Sequence, residues 1–448
     1  MQKALPICLF ALLLAGCSAV SPLLNKPLKA MATPTGSLPP VSHPGRDDDL
    51  ALILTFSGGG TRAAALSYGV MQELNNTPIQ THGQEHSLLD ETDLISSVSG
   101  GSFTAAYFGL HGKRIFNDYE QRFLKQTVQR RLIKSLLKPK NWLKLAPGLY
   151  NRGDLAADYF ENSIFGGKQF RDMRKDGPRI VINATDLSTG TAFPFTEESF
   201  RWLCSSLGEY PVGRAVAASA AVPVLFSSIT LRNYPGCQPY PHQDGAQATE
   251  FLQYLRKDQY PYLHLVDGGV SDNLGIRSLL HVVEGQNGNF WDIMQTYGMA
   301  NTHRVAFIVV NAAPAIPSHI ARYRSDPSVS ATLSAVTTIQ SRRYNQDTLG
   351  LLANRFGEWE QQVKTGRCQT RPTPNCADIN FYLAELNFRQ LPPAQAQRLE
   401  QLGTSLELPA AQVDELIAAG RSLLRHSPQF QQLVADLRAN GKPAANKR

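Results

Sequence analysis

The sequence predicts an α/β protein: a mostly parallel central sheet between two layers of helices, three layers in all, followed by a helical C-terminal region. Three observations carry that expectation. Continuous apolar runs of strand length recur at Leu50–Phe56, Leu94–Val98, Arg179–Ala184, Tyr262–Val266 and Val305–Val310, the pattern of strands buried on both faces. Helical patterns lie among them, at Arg62–Leu74, Ser102–Leu110, Val212–Ala221 and Ile276–Val283, and strands alternating with helices make βαβ units. From about Ser328 onward the pattern is almost entirely helical, apart from a strand-like Ile379–Leu386.

In chain order, the first element is an address. Lys3 precedes the apolar run Leu5–Leu14, which ends in Leu14-Ala15-Gly16-Cys17. The run is too short to span a bilayer and suits a signal peptide over residues 1–16. Small residues before a cysteine resemble a bacterial lipobox, which implies cleavage before Cys17 and acylation of its sulfur and new amine. Several buried acyl chains, at about 0.8 kcal/mol per CH₂, hold a protein firmly to a bilayer. Ser18 after the cysteine points to the outer membrane, on its periplasmic side, by analogy with known lipoproteins. The alternative is an ordinary signal peptide that happens to contain a cysteine. Residues 17–48, with Pro22, Pro27, Pro34, Pro39, Pro40 and Pro44, read as a flexible tether.

The folded part divides into an α/β domain over residues 49–327 and the helical region over residues 328–448. Within the first lies a basic insertion at about 113–152. Between Gln121 and Arg152 there is no acidic residue, and Arg130, Arg131, Lys134 and Lys138 fall opposite the stripe Leu124, Val128, Leu132 and Leu136. With Trp142 nearby, this helix suits an anionic lipid surface. The alternative is a surface helix whose stripe packs on the core.

Charge and cysteine content narrow the partners. The formal net charge is +7, and an exported basic protein meets anionic lipid rather than nucleic acid. Once Cys8 has left with the signal peptide and Cys17 is acylated, Cys204, Cys237, Cys368 and Cys376 remain, an even number in an oxidising compartment. The expected pairs are Cys204–Cys237 and Cys368–Cys376, the second closing a short Pro-containing loop. Zinc is the rival, but no C-x-x-C spacing or histidine pair supports it, and no metal or organic cofactor is implied. The sequence says nothing about oligomeric state.

Three motifs carry chemistry. Ser57-Gly58-Gly59-Gly60-Thr61-Arg62 follows the first strand and opens a helix; consecutive glycines there can aim N–H groups at an oxyanion or a phosphate. A P-loop would need lysine and then Ser or Thr after the last glycine, where Arg62-Ala63 stands. The second motif is Ser97-Val98-Ser99-Gly100-Gly101, in which an apolar strand turns sharply into a helix and presents Ser99. Such a turn needs small residues two before and two after the serine, here Ser97 and Gly101. The third is Asp267-Gly268-Gly269 at the carboxyl end of a later strand, where open α/β sheets place functional groups.

Together and in this order, the three motifs resemble the patatin-like phospholipase family. Ile182–Gly190 and Ala217–Phe226 resemble further core segments of it, so the resemblance spans about Leu50 to Asn311. It implies that Ser99 is a nucleophile, Asp267 the base of a Ser-Asp dyad, and Gly58, Gly59 and Gly60 an oxyanion hole. Arg62 matches the basic position of the family's G-G-G-x-[KR] pattern, and Gly101, Gly268 and Gly269 allow close approach. Two departures stand out: Ser97 replaces the usual elbow glycine, and Ala63 the last glycine of the longer loop. The implied activity is lipid acyl hydrolysis through an acyl-enzyme, on a membrane lipid substrate. A Ser-His-Asp triad would need His281 or His303 after the acid, while His264 is expected within the strand. The competing functions are a non-catalytic lipid-binding or structural lipoprotein, and an acyltransferase in which an alcohol replaces water.

Overall fold

The first long strand forms where the sequence places seven apolar or β-branched residues in succession. The computed structural model describes residues 22–28, 46–81, 84–136, 150–223, 226–237, 250–284, 288–315, 320–321 and 324–440. Its strands are β1 (Lys26–Pro27), β2 (Leu50–Phe56), β3 (Pro78–Thr81), β4 (Gln84–Ser87), β5 (Thr92–Val98), β6 (Arg179–Asp186), β7 (Ala192–Pro194), β8 (Ser205–Ser206), β9 (Ile229–Arg232), β10 (Tyr262–Asp267), β11 (Arg304–Asn311) and β12 (Asn380–Asn387). The main helices are α1 (Gly60–Asn75), α2 (Gly100–His111), α3 (Val128–Leu136), α4 (Arg152–Tyr159), α5 (Val212–Ser219), α6 (Arg277–Glu284), α7 (Phe290–Thr296), α8 (Val329–Thr370), α9 (Pro393–Glu400), α10 (Ala410–Arg425) and α11 (Pro428–Asn440).

The central sheet runs β12-β11-β2-β5-β6-β10-β9, with β7 on β6. The pairs from β12 to β6 are parallel. Helices cover both faces: one core holds α1, α2, α5 and α10, the other α6, α7 and α8. This is the three-layer architecture that the apolar runs predict. β10 departs from the parallel expectation, running antiparallel to β6 and to β9. Its burial explains why: Tyr262 and His264 are exposed while Leu263 and Leu265 are buried, so its first half is a projecting ribbon with one wet face. The short strand β9 and the β3–β4 hairpin carry no long apolar run.

Three local findings differ from the sequence reading or extend it. Residues 22–28, placed in the flexible tether, are docked on the domain. Asn25 is buried, its side chain bonding both Arg232 N–H and Arg232 O at 2.9 Å, and β1 pairs with β8. A side-chain amide that mimics a strand partner is what fixes this segment. The basic helix also resolves towards the packing alternative: Leu124, Val128 and Leu132 are buried in the core, and the helical stripe is interrupted before Val128. Lys125 pairs with Glu120 and Asp414, and Arg130 with Glu407. Leu136's side chain, Lys138 and Trp142 lie outside the described residues, as do Cys17 and the signal segment. Cys204 is bonded to Cys237 and Cys368 to Cys376.

The C-terminal region is built into the same body. β12 extends the sheet beside β11 in full register, and α10 crosses α1 at two glycines. A Cβ on Gly69 would lie 2.1 Å from the Ile417 carbonyl oxygen, and one on Gly420 would lie 2.3 Å from that of Leu66. Backbone meets backbone there, so neither side can yield by a rotamer change. Gly420→Ala is therefore expected to destabilise the protein by about 1–3 kcal/mol, the usual cost of overpacking, read as a lower urea midpoint. An unchanged midpoint would mean that the two helices can separate freely.

Candidate active site

The site forms where β2 and β5 end side by side, Phe56 opposite Ser97, and each turns sharply into a helix. Ser99 has φ 49° and ψ −116°, a left-handed conformation that costs a non-glycine residue energy and needs surrounding structure to hold it. That support is specific. The Ser99 N–H donates to Ser219 Oγ at 2.8 Å, and Ser219 Oγ donates to the Asn183 carbonyl at 2.6 Å. Gly100 lets the turn come close, since a Cβ on it would lie 2.0 Å from the Gly60 oxygen; a Cβ on Gly101 would lie 2.6 Å from Phe56.

Ser97, the departure at the elbow, causes no crowding. It is fully buried in β5, and its hydroxyl donates to the Val181 carbonyl of β6 at 3.0 Å. The extra oxygen faces the neighbouring strand rather than the turn.

Asp267 arrives at the same point from the opposite direction, down antiparallel β10. Ser99 Oγ donates to Asp267 Oδ2 at 2.8 Å, and the Gly269 N–H donates to Oδ1 at 2.8 Å. The Asp267 N–H donates to the Ala221 carbonyl at 3.0 Å. Residues 219–221 thus hold the backbones of both dyad members. Burial pushes the Asp267 carboxyl up to about 6, against the opposing effects of the Gly269 N–H and the Ser99 hydroxyl.

The glycine loop lies on the other side of Ser99. A Cβ on Gly58 would sit 3.4 Å from Ser99 Cβ and 2.6 Å from Asn273 Oδ1. The Gly58 N–H, however, donates to the Asn273 carbonyl at 3.1 Å. Gly58 therefore braces the loop against the dyad turn, while Gly59 (φ 140°) and Gly60 (φ 58°) adopt the conformations that glycine alone takes easily. Among the described residues, the Gly59, Gly60 and Gly100 N–H groups meet no acceptor. They open α1 and α2, whose N-terminal ends favour negative charge.

Arg62 is fully buried and faces away from the dyad. Its Nε donates to the Ala312 carbonyl at 2.9 Å and its Nη1 to the Leu402 carbonyl. Burial lowers its pKa to about 10, with Glu400 opposing the shift. The Thr61 N–H donates to the Ser405 carbonyl at 2.8 Å, so residues 402–405 form the back wall of the glycine loop.

The three histidines considered for a triad are placed elsewhere. His264 Nδ1 meets Thr230 Oγ1 at 3.2 Å, His281 Nδ1 lies 3.9 Å from Glu250, and His303 Nδ1 lies 2.5 Å from Asp49. Sequence reasoning missed Ser219, Asp272, Asn273 and Ser405. Asp272 accepts N–H groups from Leu274, Gly275 and Arg277, fixing the loop after the dyad acid. Ser219 lies within Ala217–Phe226, which carried the only signal for it; Ser405 carried none.

A strained serine turn, a buried aspartate bonded to it and a glycine-rich helix start, set at one end of a mixed sheet between helical layers, together define the patatin fold. The sequence model of that family, described as patatin-like phospholipase, matches residues 54–280, just over half of the chain. The chain belongs to the patatin-like phospholipase family. Among solved structures it is similar to human GIVD cytosolic phospholipase A2, with 14% identity, a TM-score of 0.41, and coverage of 88% of this chain and 63% of that one. The same human protein in complex with methyl gamma-linolenyl fluorophosphonate matches at 13% identity and TM-score 0.41, covering 88% and 60%. VipD from Legionella pneumophila matches at 12% and 0.30, covering 94% and 72%. The chain spans less than two thirds of the length of the human protein. No curated protein sequence matches it.

Proposed function

We propose that this chain is a serine acyl hydrolase that cleaves carboxylic ester bonds of membrane lipids, held to a bacterial membrane by acyl chains on Cys17. The observation that carries the reading is the 2.8 Å hydrogen bond from Ser99 Oγ to the buried Asp267 carboxylate. Ser99 Oγ attacks the ester carbonyl carbon as its proton passes to Asp267 Oδ2. The carbonyl oxygen becomes an oxyanion facing the Gly59 and Gly60 N–H groups, the kind of donor worth about 2.7–4 kcal/mol in a studied protease. Collapse expels the alcohol, which takes the proton from Asp267 and leaves an acyl-Ser99 ester. Water then gives its proton to Asp267 and its oxygen to the acyl carbon, and Ser99 leaves with the proton.

An ordinary aspartate, with a pKa near 3.9, is a poor base for a serine hydroxyl. Burial narrows that gap by raising Asp267 to about 6. Because the base must be ionised, kcat/KM is expected to rise with pH and to level off above an apparent pKa near 6. A profile flat from pH 4.5 to 8 would show that Asp267 is not the base. The direct test of the reading is labelling by a fluorophosphonate, in which Ser99 Oγ displaces fluoride from phosphorus. Wild type is expected to label and Ser99→Ala to remain unlabelled; labelling of the alanine variant overturns the assignment. The lipid anchor predicts an outer-membrane lipoprotein facing the periplasm, and fractionation with Cys17→Ser tests it.

A further inference from the structure

Three elements project beyond the sheet at the end of the molecule that holds Ser99. β10 begins five residues before Asp267 and pairs Tyr262 with Arg232 of β9, so this ribbon projects past the point where β5 ends at Val98. α8 projects past the same edge. Its Asn345 side chain meets Asn311 at the carboxyl end of β11, whereas Arg367 meets Thr302 before that strand begins. The turns before Asn345, residues 329–344, would reach about 24 Å beyond the sheet at 1.5 Å per residue, and α8 packs against the Gly268–Val270 turn of the dyad loop. α3 is joined to this end as well, because Gln129 meets Ser405, whose carbonyl holds the first turn of α1.

Each of these three elements exposes large apolar side chains. Leu252 and Leu255 stand beside the ribbon that carries Tyr262; Val336 and Ile339 are exposed on α8; Ile133 is exposed on α3 at 53%. The charge that accompanies them is positive on balance, Glu250 and Asp258 being the carboxylates in the segment that carries Leu252 and Leu255. Residues 329–344 contain Arg342 and Arg343 and no carboxylate. Arg131 and Lys134 flank Ile133 and have no carboxylate partner among the described residues. On the ribbon, Arg232 lies over the rings of Tyr262 and Tyr234, and Arg256 over Tyr260. Arginine beside tyrosine and scattered exposed aliphatics suits the interfacial zone of a bilayer.

The N-terminal segment supplies an independent constraint. The Pro22 carbonyl accepts from Arg214 of α5, the helix that ends at Ser219, and Asn25 is bonded to Arg232 at the ribbon tip. Cys17 is five residues before Pro22, so fully extended chain puts it within about 18 Å of that docked point. The lipid proposed above for Cys17 would hold this flank against the membrane.

We propose that the β9–β10 ribbon, the outer turns of α8 and the outer face of α3 together form the surface that lies on an anionic phospholipid bilayer, turning Ser99 towards the leaflet that carries the N-terminal lipid. The proposal deepens the hydrolase reading and rests on it for the substrate and for the lipid on Cys17, but not for binding through the fold itself. The test uses mature Cys17→Ser protein, which must bind through the fold alone. Co-sedimentation is measured with phosphatidylglycerol and with phosphatidylcholine vesicles, next to hydrolysis of a soluble short-chain ester. Leu252→Ser/Leu255→Ser, Val336→Ser/Ile339→Ser and Ile133→Ser/Lys134→Ser are each expected to weaken binding to phosphatidylglycerol vesicles at least fivefold. Soluble-ester turnover and melting temperature should stay unchanged in all three. Leu351→Ser, exposed lower on α8, should bind as wild type does. Wild-type binding by all three double variants, equal binding to both lipids, or an equal loss in Leu351→Ser overturns the proposal. If the wild type binds vesicles but hydrolyses no ester, the surface stands and the hydrolase reading falls.

Discussion

Ser99→Ala is expected to lower ester hydrolysis by at least about 10³-fold, and Asp267→Asn by a comparable factor, because the two groups act on one proton. The double variant should be no worse than the worse single one, since a base without its nucleophile has nothing to deprotonate. Stability should move the other way for Asp267→Asn. The folded-state pKa of Asp267 is raised to about 6, above the value near 3.9 expected unfolded. The folded protein therefore holds the proton more tightly, and its stability falls as pH climbs from about 4 to 6. Asparagine removes that cost, so at pH 8 the variant should melt above wild type and at pH 4 close to it. Asp267→Asn retaining wild-type turnover would sink the dyad, whereas His281→Ala and His303→Ala should both remain active.

The second large effect is expected at a buried ion pair away from the reacting atoms. Arg214 and Asp154 are both almost completely excluded from solvent and meet directly, joining α5 to α4. Asp154 also accepts the Asn151 N–H, closing the cap of α4, and Arg214 reaches the Pro22 carbonyl. Removing one partner leaves the other charge buried without its counterion, at a cost of about 3–5 kcal/mol. Asp154→Ala is therefore expected to be severely destabilised, measured by urea unfolding at pH 7. Arg214→Met/Asp154→Leu, which removes both charges, should recover a substantial part of the loss. If the double variant is as unstable as the single, packing rather than charge explains the effect. α5 ends at Ser219, so a shift of this helix should also appear as reduced turnover in whatever Asp154→Ala folds.

The parallel half of the sheet was legible because a strand buried on both faces carries a continuous apolar run, as Leu50–Leu54 and Val305–Val310 do. The ribbon was less so: β9 spans four residues and β10 alternates, and a short run gives no direction. Ser99, Asp267 and the glycines could be read from sequence because strained turns and close approaches restrict residue type. Ser219, Asn273 and Ser405 could not. Asn273 and Ser405 serve the site through carbonyl oxygens, which every residue type carries, and Ser219 is one hydroxyl in a run of small residues. The stripe of α3 left two readings open for a related reason, since an apolar face looks the same whether it meets a core or a lipid.

The back wall of the glycine loop has a consequence for anyone cutting or grafting this protein. The matched family region ends at residue 280, yet the Leu402 and Ser405 carbonyls that seat Arg62 and Thr61 come from more than a hundred residues later. Sequence similarity and mechanical unit therefore have different borders here. A fragment trimmed to the recognisable part would keep every motif and lose the clamp that aims them, whereas a chimera carrying the tail would transplant the geometry together with the residues.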